Sequence, residues 1–122
     1  AVQLASEHFN ISIPEYTVAG KPCGTFFGHH WYVACNDAVS ASELTAFIDE
    51  KLKELNDDYA VERRSALKEI KLDILPENVF LDFMQSQGKL GGQHKFPRVL
   101  KGSTLEKWET FLSKQYAHSA TL

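Results

Sequence analysis

Four of the chain's 13 lysines and arginines (Lys89, Lys95, Arg98 and Lys101) fall between Asp82 and Glu106, a stretch that holds none of its 16 acidic residues. In a chain of net charge −3, a basic segment that also carries glycines suggests a local anion site. Gly91-Gly92 lets backbone amides approach a ligand closely, and amides exposed in a turn can cradle phosphate. Lys95 would add a point charge and Arg98 a planar fork of donors. The blander alternative is a solvated basic loop. No Gly-x-x-x-x-Gly-Lys-Ser/Thr phosphate loop occurs.

Other chemistry-bearing residues point to less. His29 and His30 are adjacent on a strand-like run, so they face opposite sides and cannot chelate one metal together. His94 lies in the basic segment, and no helical pair of histidines is present, so a catalytic metal is not expected. Cys35 reads as a core residue and Cys23 as a turn residue without an acid–base partner. The nucleophile motifs Gly-x-Ser-x-Gly and Cys-x-x-Cys are missing. Glu50, Glu54, Asp57 and Asp58 read as a solvated helix face and caps. A self-contained active site is therefore not expected.

The 122 residues suit one domain, residues 1–122, since domains cluster at roughly 100–150 residues. Apolar residues at 43% and aromatics at 11% exclude disorder, and the apolar runs are too short to span a membrane. The acidic excess argues against nucleic acid as a partner. Two cysteines make no disulfide framework, which favours a reducing, cytoplasmic setting. The chain starts without Met, and residues 1–9 read as a helix already under way, which suggests a piece cut from a longer protein.

The elements that would position the basic segment follow from periodicity. Residues 11–18 have strand composition, with Pro14 at an edge or bulge, and residues 19–24 read as a turn. Residues 25–35 form the strongest strand, with Phe27, His29, Trp31, Val33 and Cys35 on one face and Phe26, His30, Tyr32 and Ala34 on the other. These two strands should pair as an antiparallel hairpin. Ser40-Ala-Ser-Glu43 fits a capping box ahead of an amphipathic helix with Leu44, Phe47, Ile48, Leu52 and Leu55 on its apolar face. Trp31, Phe47 and Leu52 should share one core. Asn56-Asp57-Asp58 can cap a short helix, and Ile70, Leu72 and Ile74 alternate with Lys71 and Asp73 as a half-buried strand. Pro76 opens a helix lined by Val79, Phe80, Phe83 and Met84, with Gly88 just past its end. Ser103-Thr-Leu-Glu106 predicts a second capping box before a last helix that buries Leu105, Trp108, Phe111 and Leu112. The expected class is α+β: a small, largely antiparallel or mixed sheet of three to four strands covered by helices, with extra C-terminal helices. One strand placed before Ala1 would complete a split βαβ order.

The run Gly88-Lys-Leu-Gly-Gly-Gln-His-Lys-Phe-Pro-Arg98 resembles the C-terminal end of the Gretchen Hagen three family of auxin-responsive acyl acid–amido synthetases, its bacterial members in particular. Gln93, Lys95, Pro97 and Arg98 match the Gln-x-Lys-x-Pro-Arg pattern of the plant members. The stretch from Leu52 to Tyr59 with Arg63, and Phe27-Gly-His-His-Trp-Tyr-Val33, resemble two further family segments.

The resemblance implies a mobile C-terminal lid on an acyl-adenylate-forming enzyme. A large N-terminal domain would bind ATP, Mg²⁺ and a carboxylic acid, and an amino acid would then take the acyl group. It implies Lys95 as the catalytic residue, with Gly92, Gln93, Lys95 and Arg98 at the nucleotide or adenylate. ATP and Mg²⁺ would be held mainly by the large domain, and the chain alone would be inactive. The alternatives from other classes are a stand-alone ligand- or protein-binding module on a ferredoxin-like scaffold, and an assembly domain.

Overall fold

The computed structural model describes the backbone of residues 1–23, 26–87 and 96–121, and the side chains of all of these except 21–23 and 115–121. The elements run α1 (Val2–Phe9), β1 (Glu15–Cys23), β2 (Phe26–Ala34), α2 (Ala41–Leu55), α3 (Asp57–Ser65), β3 (Leu67–Leu75), α4 (Glu77–Ser86), β4 (Val99–Leu100) and α5 (Gly102–Thr121). The strands form one mixed four-stranded sheet in the order β3-β2-β1-β4. The α+β class is as expected.

Local chemistry accounts for most boundaries. The Ser40 Oγ accepts from the Glu43 amide at 3.3 Å and starts α2. Asn56 ends that helix and caps the next, its Oδ1 accepting from the Tyr59 amide at 3.1 Å. Three boundaries differ from expectation. The first strand begins at Glu15, immediately after Pro14, whose missing N–H suits a position outside the ladder. It continues through the expected turn to Cys23, because Ala19 to Cys23 pair with His30 to Phe26 of β2. Helix α5 begins at Gly102, at φ +61°, and the Leu105 amide donates to the Lys101 carbonyl, so Ser103 lies inside the first turn rather than at the cap.

The hairpin β1–β2 is antiparallel, and α2 and α3 carry the chain over to β3, which pairs parallel to β2. A split βαβ order would place another strand between β2 and β3. That position is closed here, since residues 28–34 of β2 pair directly with residues 69–75 of β3. The ferredoxin-like scaffold of the alternative reading is therefore not this sheet.

Helices cover both faces of the sheet. On one, Trp31, Val33 and Cys35 of β2 and Leu72 of β3 pack on Val2 and Ala5 of α1 and Leu44 and Ile48 of α2, with Phe47 and Leu52 half-buried around them. Trp31, Phe47 and Leu52 do share a core. On the other face, Ala19, Tyr32 and Ala34 pack on Val79, Phe80, Phe83 and Met84 of α4, with Phe96, Leu100 and Trp108. This explains why both faces of β2 read as apolar.

Gly28 sits where the β2–β3 register shifts, and a Cβ there would come 2.8 Å from the Glu69 carbonyl oxygen. The obstacle is backbone, so it cannot swing aside. Gly28→Ala is expected to lower stability by about 1–3 kcal/mol, read as the urea midpoint. An unchanged midpoint would mean that the two strands do not approach this closely.

Candidate functional site

Within the basic segment, Gly92, Gln93 and Lys95 lie outside the described residues, as do Gly88, Lys89, Gly91 and His94. The structure describes the two ends from which the segment is held. On the upstream side, α4 closes with the Gln87 amide donating to the Phe83 and Met84 carbonyls at 3.1 and 3.2 Å. On the downstream side, Phe96, the residue after Lys95, is buried. Its ring centroid lies 4.9 Å from Phe80 and 5.0 Å from Trp108, in edge-on contacts.

Arg98 is placed against β1. Its guanidinium pairs with the Glu15 carboxylate and donates from Nη1 to the Tyr16 carbonyl at 3.1 Å. It also lies 4.2 Å from the centre of the Tyr16 ring. The Val18 amide donates to the Arg98 carbonyl at 3.0 Å, and β4 then pairs parallel to β1 through Val18–Val99 and Ala19–Leu100. Lys101, the last basic residue of the stretch, is exposed.

The segment around Tyr59 and Arg63 has a structural explanation. Asp49 Oδ1 accepts from the Tyr59 hydroxyl at 2.6 Å and from Arg63 Nε at 2.8 Å, and Arg63 Nη1 donates to the Leu67 carbonyl at 2.7 Å. Burial alone would raise the Asp49 carboxyl, but hydrogen bonds from Arg63 and Tyr59 outweigh it and hold it below the usual carboxylate range. Burial, then the hydrogen bond to Asp49, push the Tyr59 hydroxyl up. This network ties α2 and α3 to the start of β3. Local spacing in the sequence links Tyr59 with Arg63 but gives no sign of Asp49, ten and fourteen residues upstream of them.

His29 and His30 do face opposite sides. Burial, foremost, lowers the His29 pKa. His30 Nε2 meets Asp73 Oδ2 at 2.7 Å, while its Nδ1 is 3.3 Å from the Tyr32 hydroxyl. Burial pushes that hydroxyl up to about 12, with the nearby charges of Glu109 and Asp73 adding to the effect. Both nitrogens of His30 thus have a hydrogen-bond partner. Asp73 belongs to another strand, so no local spacing could have signalled this contact. Among the described residues, no group of three or more His, Cys, Asp or Glu side chains is placed to hold a metal ion. No described helix is long and apolar enough to cross a membrane.

Comparisons with known proteins bear on this arrangement. Two solved structures share the fold: one titled GH3.15 acyl acid amido synthetase (TM-score 0.57, 14% identity) and one titled AtGH3.15 acyl acid amido synthetase in complex with 2,4-DB (TM-score 0.61, 15% identity). Each match covers 88% of this chain but only 22% and 21% of the other, so the chain spans about a fifth of their length. A search of curated proteins gave no match. A family model described as the GH3 family C-terminal domain matches residues 1–104, which takes in all four strands, helices α1 to α4 and the whole basic segment. The chain therefore belongs to the GH3 family, as its C-terminal domain.

Proposed function

We propose that this chain is the mobile lid of an ATP-dependent acyl acid–amido synthetase. The full-length enzyme would join a carboxylic acid to ATP, releasing pyrophosphate and forming an acyl-adenylate. An amino acid would then attack the acyl carbon, giving the amide and AMP. The observation that carries the reading is the family match over residues 1–104, supported by the anchored exit of the basic segment at Phe96 and Arg98.

In the adenylating step, Lys95 offsets charge developing on the phosphoryl group, with Gly92 and Gln93 beside it. A preorganised cation in a closed site is effective because it needs no rearrangement as the charge appears. Closure also keeps water from hydrolysing the adenylate. ATP, Mg²⁺ and the acid are assigned to the large N-terminal domain, which would be the lid's principal partner. The setting proposed is cytoplasmic.

The chain alone should be inactive, because the ATP and acid sites are assigned elsewhere. ATP–pyrophosphate exchange by purified residues 1–122 is expected at background with any carboxylic acid. Robust exchange would refute the lid assignment.

A further inference from the structure

We propose that the outer edge of β3 is an interaction surface for a second copy of this chain, the two edges pairing antiparallel about Leu72 and joining the two sheets into one.

Strand β3 ends the sheet, so among the described residues no strand lies beyond it. In a parallel ladder, alternate residues of a strand turn both backbone groups to the same neighbour. The Cys35 amide donates to the Leu75 carbonyl, and the register of β2 on β3 therefore gives Glu69, Lys71, Asp73 and Leu75 to β2. The amides and carbonyls of Ile70, Leu72 and Ile74 point outward. Such an edge, on a strand of nine residues, is a template for another strand. Along it runs a groove of about 420 Å³, with Ile70 and Leu72 on one side and the small residues Ala41, Ser42 and Ala46 of α2 on the other. The groove has room for apolar side chains of an added strand.

The ends of the edge and its charges select a second copy. At one end, Arg63 Nη1 donates to the Leu67 carbonyl and closes the edge. At the other, Pro76 follows Leu75 and has no amide to extend a ladder. Antiparallel pairing centred on Leu72 uses residues 69–75 of both copies and meets neither end. It sets Lys71 of each copy opposite Asp73 of the other, while on the groove side Leu72 meets its own counterpart and Ile70 meets Ile74. Centring on Lys71 would oppose the two lysines and bring Glu69 against Asp73. Centring on Ile70 would bring Asp73 against Leu67, at the end that Arg63 closes. Within one copy Lys71 lies 3.3 Å from Glu69, and Asp73 holds His30 through Oδ2. Both side chains are still more than half exposed, at 65% for Lys71 and 59% for Asp73, so a second copy can reach them. A charge midway along an edge ordinarily discourages pairing; here it chooses the register. The contact is isologous, so it closes at two copies.

Sedimentation equilibrium of the full-length protein is expected to show a concentration-dependent dimer, more than half formed at about 100 μM. Lys71→Glu and Asp73→Lys each place like charges together at two points, and each should weaken dimerisation about 10-fold or more, with thermal midpoints near wild type. An equimolar mixture of the two variants should dimerise again, because each then meets the opposite charge in the other; that recovery also shows that both fold. Amide hydrogen exchange at Ile70, Leu72 and Ile74 should slow as wild-type concentration rises, while Lys71 and Asp73, already bonded to β2, stay constant. A wild-type monomer at about 100 μM overturns the proposal. So does a dimer that both variants leave intact, or one that only Lys71→Glu weakens, since that pattern belongs to a different register. Protection of Ile70, Leu72 and Ile74 at every concentration would mean that the edge is covered within one polypeptide, and would overturn it as well.

Discussion

Lys95→Ala in the full-length enzyme is expected to slow adenylate formation on the order of 10²-fold or more, the usual loss when a preorganised charge-stabilising group is removed. ATP binding should change far less, because the lysine acts chiefly when charge develops at phosphorus. Amide formation from preformed acyl-adenylate should suffer less too, since the lid would have rotated by then. Lys89 and Lys101 lie outside the matched motif, and their alanine variants should stay near wild type. Separate single-turnover assays of the two half-reactions read all of this. If Lys95→Ala leaves adenylation intact while Lys101→Ala abolishes it, the wrong lysine has been assigned. If all the basic substitutions are silent, the segment is a solvated loop.

Trp108→Ala is expected to cost about 3–5 kcal/mol, as for other fully buried large aromatics. The ring is completely inaccessible and touches Tyr32, Phe80, Phe83 and Phe96, with centroids 5.0–5.5 Å away. It is the point where β2, α4, α5 and the exit of the basic segment meet. Against a typical total of roughly 5–15 kcal/mol, such a loss would leave the domain close to unfolding. Its indole N–H is buried without a hydrogen-bond partner among the described residues, so Trp108→Phe gives up no hydrogen bond to them and should cost only about 1 kcal/mol. Denaturant unfolding, with Trp31 as the remaining indole reporter, gives both values. A loss below about 1 kcal/mol for Trp108→Ala would mean that α5 does not pack as described.

How much of this was legible in the sequence depends on how far apart the cooperating residues stand. Periodicity located α2, because Leu44 and Ile48 recur on one face, and Ser40 and Asn56 carry their capping chemistry in their own side chains. The apolar residues on both faces of β2 were legible as half-buried, and the structure covers each face with helices. Signals failed where a neighbour overrode a local rule. Lys21-Pro-Cys23 reads as a turn by composition, yet it is strand because residues 26–28 of β2 lie opposite to receive it. The hydroxyl of Ser103 resembles a cap, but Gly102 absorbs the positive φ and the helix starts before it. Strand β4 is too short to show any period.

The site divides in the same way. The charge pattern and the Gly-Gly pair marked residues 88–98 without any fold. The partner of Arg98 lies 83 positions away, and only the sheet brings Glu15 to it. The pairing of His30 with Asp73 likewise comes from the parallel register of β2 and β3.

The central claim is that the chain completes an adenylating enzyme, and acid-dependent ATP–pyrophosphate exchange tests it most directly. Exchange by the full-length protein should fall to background when residues 1–122 are deleted, and return when the chain is restored in covalent linkage. Undiminished exchange without the chain, or none from the full-length protein with any carboxylic acid, would contradict the account.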